Sequence, residues 1–196
     1  MQEIELFIKD ENEDGVFAVS LVESPAIEEN FIALSKDEIN LKVIDEERRI
    51  VVGYALIPEK RIYRRMKPKG ADEPIEFNIY FSKETISKTQ ELYMRNLNLN
   101  NVTSEHEKPV QGATVIESWV TENEKMDKIN LYDIKPQLGG WAIMMKIYND
   151  EEWSKVKGGE YKGFSIEGIY QGFENLKMSE ENDILKQLKE LIDESK

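Results

Sequence analysis

The stretch TSEHEKPVQG at residues 103–112 holds His106, the only histidine in a chain of 196 residues. Imidazole titrates near neutral pH without help from its surroundings, so one histidine is enough to supply the base that activates a serine hydroxyl. The hydroxyl that stands out lies well downstream. GFSIEG sets Ser165 in a run of strand-forming residues, with Gly163 and Gly168 allowing other backbone to come close. Two plainer accounts stand beside this pair: an idle imidazole in an acidic loop, and a serine that faces solvent. Other chemistries are harder to build. With no cysteine there is no disulfide, thiolate metal site or cysteine nucleophile. One histidine cannot make the two- or three-histidine zinc site of the usual zinc hydrolases. Neither GxxxxGK[ST] nor a GxGxxG after a strand is present. The 39 acids could hold Mg²⁺, but no DxD-type cluster stands out. A carboxylate-metal hydrolase would reveal itself by needing divalent cations. No cofactor is expected.

The elements that must position these residues are mostly strands. IELFIKD (4–10), GVFAVSLVE (15–23), NFIALS (30–35) and RIVVGYALI (49–57) are rich in β-branched and aromatic residues and are separated by turn-forming clusters. EPIEFNIYFS (73–82) alternates Ile75, Phe77, Ile79 and Phe81 with polar neighbours, the period of a half-buried strand. Ser82 caps a helix over KETISKTQELYMRN. ATVIESWVTE (113–122), GGWAIMMKIYN (139–149) and KGFSIEGIYQGF (162–173) are further strands, with a short helix over 149–159 between the last two. After Phe173 a tether leads to SEENDILKQLKELIDESK. There Ile184, Leu185, Leu188, Leu191 and Ile192 form one apolar helical stripe, suited to packing on its own domain or docking on a partner.

Composition narrows the partners. Hydrophobic residues at 40% and charged ones at 33% describe a globular chain. A net charge of −13 repels phosphate backbones, so nucleic acid is not expected as a partner. The one concentrated basic stretch, KRIYRRMKPKG (60–70), reads as a solvated hairpin. No apolar run approaches the roughly 20 residues that span a bilayer, and no membrane partner is expected. The opening MQEIELFIKDENEDG is acidic and unlike a secretory leader, which predicts an intracellular setting.

HEKPVQGATVIESWV (106–120) and GGWAIMMKIYNDEEWSKVKGGEYKGFSIEG (139–168) resemble the XkdF-like phage serine proteases, a group of prohead (capsid-maturation) proteases related to the herpesvirus assemblins. SLVESPAIEENFIAL (20–34), GYALIPEKRIYR (53–64) and EFNIYFSKETI (76–86) are similar to the family too, so the likeness spans roughly residues 15–173. The resemblance implies an α+β fold: a mainly antiparallel β-barrel of assemblin type with surrounding helices. Residues 1–173 would form that domain, and 174–196 the tether and amphipathic helix. It further implies that His106 is the general base and Ser165 the nucleophile of a serine endopeptidase. The implied substrates are phage scaffold and major capsid protein segments, cut inside the assembling prohead in the host cytoplasm. Self-association and self-cleavage belong to the same picture.

The resemblance has a gap at the third catalytic member. Assemblins use a second histidine, and this chain has none. Other phage prohead proteases carry an EVSLVxxPA-like strand whose glutamate suits the role. The similar AVSLVESPA (18–26) puts Ala18 in that place. Glu167 is the expected substitute. Two residues from Ser165 along a strand, it projects on the same face, about 6.5–7 Å away, a gap that one histidine bonded to both can bridge. Glu117 and Glu23 are the reserves. Oxyanion donors are expected from Arg61, Arg64 or Arg65, by likeness to the arginine-linked donors of assemblins, or from backbone amides at Gly139–Gly140. The alternative function is a catalytically inactive, protease-like structural or scaffold-associated prohead protein, which the alanine at 18 and the single histidine favour.

Overall fold

The computed structural model describes residues 1–23, 42–67 and 73–176. Strand β1 (Gln2–Leu6) buries Ile4 and Leu6 and exposes Glu3 and Glu5, the two-residue period of a strand covered on one face. The loop after it is closed by Asp14, whose carboxylate accepts the backbone N–H groups of Lys9 (2.8 Å) and Asp10 (2.9 Å). β2 (Gly15–Val22) then joins a different sheet. The remaining strands are β3 (Lys42–Asp45), β4 (Ile50–Leu56), β5 (Ile62–Met66), β6 (Ile75–Phe81), β7 (Val102–Ser104), β8 (Lys108–Pro109), β9 (Ala113–Val120), β10 (Trp141–Ile147) and β11 (Gly163–Ile169).

Two helices form where local signals call for them. In α1 (Lys83–Arg95) the Ser82 hydroxyl accepts the Thr85 N–H, and Ile86, Leu92 and Tyr93 are buried. In α2 (Asp150–Gly158) the Asn149 side chain accepts the Glu152 N–H, three acids occupy the first turn, and Gly159 ends the helix at φ 74°.

The strands form three sheets, ordered β1-β6-β5, β3-β4-β10-β9 and β11-β2-β7-β8. β1 runs parallel to β6 and β2 parallel to β7, while the other ladders are antiparallel. The expected assemblin-type closed β-barrel is therefore not what the chain forms. A barrel needs a continuous ring of backbone ladders. Among the described residues each sheet ends on a strand with a ladder on one side only, and β11 and β4 share no ladder but join one apolar core. Beyond one isolated backbone bridge between Phe7 and Gln171, side chains close the seams: one core joins Phe77, Ile86, Tyr93, Trp141 and Phe164. The Tyr93 and Trp141 rings lie 5.1 Å apart within it.

The strand expected over 30–35 and the apolar stripe of 184–192 lie outside the described residues. The start of the tether is described, and Phe173 sets its ring edge-on to Phe77 at 6.3 Å. No helix among the described residues is long and apolar enough to cross a membrane.

Candidate active site

Three strands bring a row of hydroxyls together. In the antiparallel β11–β2 ladder Ser165 lies opposite Ser20, and Glu167 opposite Ala18. In the parallel β2–β7 ladder Ser20 lies opposite Thr103. Residues in register share a face, so Ser165, Ser20 and Thr103 line up across the sheet, with Glu167 two residues along from Ser165.

His106 hangs over this row from the turn between β7 and β8. Glu105 (φ 52°) and His106 (φ 58°) both occupy the left-handed region, and the Glu107 N–H closes the turn on the Ser104 carbonyl at 3.0 Å. Such backbone costs about 1–3 kcal/mol per non-glycine residue and persists only when its surroundings over-determine it. Strand β2 does so. The Glu105 N–H donates to the Leu21 carbonyl (3.0 Å) and the His106 N–H to the Ser20 hydroxyl (3.0 Å). The Glu105 carboxylate accepts the Glu23 N–H at 2.6 Å.

Held in this way, His106 places Nδ1 3.3 Å from Oε1 of Glu167. The Thr103 hydroxyl donates to the same carboxylate oxygen. The Glu167 side chain is 19% exposed and that of His106 41%, so a sheltered carboxylate faces a ring still open to solvent. A proton on Nδ1 donated to Glu167 leaves Nε2 with its lone pair, the form a general base needs. Ser165 is buried and is not hydrogen-bonded to His106. Catalytic contacts of this kind often tighten only when substrate is bound.

Behind the turn, a second chain of contacts anchors β7. The Tyr161 hydroxyl lies 2.6 Å from that of Ser104 and donates to Glu152, whose carboxylate also takes a bond from Lys155 at 3.0 Å. Burial, reinforced by Glu152, raises the Tyr161 pKa, so its hydroxyl stays protonated as a donor.

Ser165 also borders a cleft of about 180 Å³ between the end strand β11 and strands β4–β6. Phe81, Phe164 and Tyr170 form apolar walls, and Arg64 is the one arginine on its border. The other arginine candidates are engaged elsewhere: Arg61 with Glu3 at 2.8 Å and Arg65 with Glu76 at 3.8 Å. The basic stretch is thus not a uniformly solvated hairpin, because Arg64 sits half-buried on its inner face. The Gly139 and Gly140 amides already donate to the Thr121 and Gln137 carbonyls, and Gly139 borders a groove along α1. Glu117, on β9 in another sheet, pairs with Lys128. Glu23 reaches the His106 turn only through its backbone. Among the described residues, no three imidazole or carboxylate groups converge as a metal site would require.

The structure thus brings His106 and Glu167 into contact, with Ser165 on the same strand as Glu167. Ser20 and Thr103 were not singled out by sequence. Ser20 had one available signal, since it lies two residues from Ala18 and so on the same strand face. Thr103 had none.

Compared with protein-family models, residues 37–174 match the family described as "Putative phage serine protease XkdF". The match covers well over half of the 196 residues and runs from β3 through β11, so the chain belongs to this phage serine protease family. His106, Ser165 and Glu167 lie inside the matched region, whereas β2 with Ser20 lies before it. No curated protein and no solved structure matches the chain.

Proposed function

We propose that the protein is a prohead-maturation serine endopeptidase that cuts phage scaffold and major capsid protein segments inside the assembling shell, in the host cytoplasm. The observation that carries this reading is the 3.3 Å contact between His106 Nδ1 and Glu167, on the strand and face that hold Ser165. Family membership supplies the reaction class. Residues 1–173 act as the catalytic unit, and 174–196 supply its tether and C-terminal amphipathic helix.

In the proposed mechanism Nε2 of His106 takes the Ser165 hydroxyl proton as Oγ bonds to the scissile carbonyl carbon. The tetrahedral species collapses with loss of the C–N bond, and His106 returns the proton to the departing amine. Water, deprotonated by the same nitrogen, then cleaves the acyl-serine ester and restores the hydroxyl. Glu167 keeps the Nδ1 proton in place and balances the transient imidazolium. Substrate entering the cleft beside Ser165 brings the hydroxyl and the ring together.

A second reading is an inactive, protease-like structural prohead protein. The missing hydrogen bond between Ser165 and His106 favours it. A fluorophosphonate probe, with cleavage of purified scaffold and capsid protein alongside, separates the two. The endopeptidase is labelled at Ser165 and cuts; Ser165→Ala does neither and melts within about 2 °C of the wild type, since losing one hydroxyl leaves packing unchanged. A folded wild-type chain that is neither labelled nor active is the structural protein.

A further inference from the structure

All six arginines lie among the described residues, and five meet a carboxylate: Arg48 with Asp45, Arg49 with Asp150, Arg61 with Glu3, Arg65 with Glu76 and Arg95 with Glu11. Arg64 meets none. Its Nη1 donates only to the adjacent Tyr63 carbonyl, at 2.9 Å. The register of β5 explains why: Arg64 lies opposite Phe77 and Ile62 opposite Ile79, so Arg64 shares the apolar face, while Arg65 projects from the outer one. Burial lowers the Arg64 pKa, the mark of a charge partly stripped of water.

A half-buried guanidinium without a counter-charge is costly, and a ligand anion relieves that cost. The cleft it borders is shaped for such a ligand. Among the described residues no aspartate or glutamate lines it, its other charged group is Lys60, and its remaining walls are largely aliphatic and aromatic. At about 180 Å³ it is smaller than the usual pocket for a free small molecule but has room for one side chain. Ser165 stands on its border, so a side chain seated there belongs to a residue next to the bond being cut.

We propose that this cleft is a substrate-specificity pocket for an acidic side chain flanking the scissile bond, with Arg64 binding its carboxylate. The aliphatic stem packs against Phe81, Phe164 and Tyr170, and the guanidinium fork takes the two oxygens. The inference rests on Ser165 as the nucleophile.

Cleavage profiling of a randomised peptide library by the full-length chain tests it. Wild type selects Glu or Asp at one position beside the cut, preferring Glu over Gln by roughly tenfold or more in kcat/KM. Arg64→Gln abolishes the preference, Arg64→Lys keeps part of it, and Arg64→Glu shifts it toward lysine. Cleavage without acidic preference, or a preference indifferent to Arg64, overturns the pocket and leaves the endopeptidase standing. Equal slowing of all peptides by Arg64→Gln also overturns it, since that marks an oxyanion donor rather than a side-chain reader. If Ser165 is neither labelled nor active, the function falls separately. The pocket is then read by fluorescence anisotropy of matched alanine-based peptides with a central Glu or Gln on Ser165→Ala. Equal binding of the two sinks it, and tighter Glu binding that Arg64→Gln removes upholds it.

Discussion

The Glu167 carboxylate accepts the Thr103 hydroxyl and lies 3.3 Å from His106 Nδ1. Thr103 limits the rotamers open to the carboxylate, and in the proposed mechanism the carboxylate selects the ring tautomer. In the proposed mechanism Glu167→Gln presents an amide that donates as readily as it accepts, so the wrong tautomer is stabilised. The expected result is a loss of about 10³–10⁴-fold in kcat with KM nearly unchanged, because the interaction acts mainly in the transition state. Glu117→Gln is the matched control. That carboxylate pairs with Lys128 in another sheet, and its loss leaves kcat within about twofold. A loss of tenfold or less for Glu167→Gln, measured on a peptide the wild type cuts, reduces the site to a Ser–His dyad.

At the level of elements, the β2–β11 ladder gives Ala18 a meaning the strand alone lacks. The corresponding place in similar prohead-protease strands holds a glutamate, and here the residue directly opposite Ala18 is Glu167. Opposed residues share a face with their Cβ atoms about 4.5–5.5 Å apart, so one carboxylate can serve the same spot from either strand. Moving it back is the test. Glu167→Ala lowers kcat, and adding Ala18→Glu recovers at least tenfold of the loss; no recovery would deny that the two positions are equivalent. Ala18→Glu alone sets two acids face to face and lowers the melting temperature. The ladder also explains Gly168. At the register shift after Glu167, a Cβ on residue 168 would lie 2.7 Å from the Gly15 carbonyl oxygen. Its role in close backbone approach was legible in GFSIEG, although the approaching partner was not.

Across the whole molecule, Asp14 ties the first strands to the last. Its buried carboxylate accepts the Lys9 and Asp10 N–H groups and the Gln171 side-chain amide (2.8 Å), just beyond β11. Burial alone would raise its pKa, but the bonds from Asp10, Gln171 and Lys9 outweigh that and hold it below the usual carboxylate value. Asp14→Asn should cost about 2 kcal/mol at pH 7, as bonds to a charged acceptor are lost. Because the folded pKa is depressed, this stabilisation is complete above the unfolded value of about 4 and is lost as pH falls through the folded one. Urea unfolding of wild type and variant at pH 7 and below pH 4 therefore shows a gap that narrows in acid. A gap independent of pH would assign the effect to packing instead.

Much of the local structure was legible because its causes are local. Ser82 and Asn149 cap their helices within three residues, and the alternation of Ile75, Phe77, Ile79 and Phe81 needs only its own strand. Residue type singled out His106, the glycines of GFSIEG pointed to Ser165 and strand spacing to Glu167, while the resemblance supplied the family and the roles expected of the pair. Tertiary structure decided the rest. Nothing near β1 or β2 announces a parallel partner, so three open sheets were read as one barrel. The Ser20 hydroxyl meets a backbone N–H 86 residues away, and Arg64 faces its cleft only because β5 pairs with β6 in one register. A contact between distant segments leaves no period or spacing in either of them, and the chain shows it only once folded.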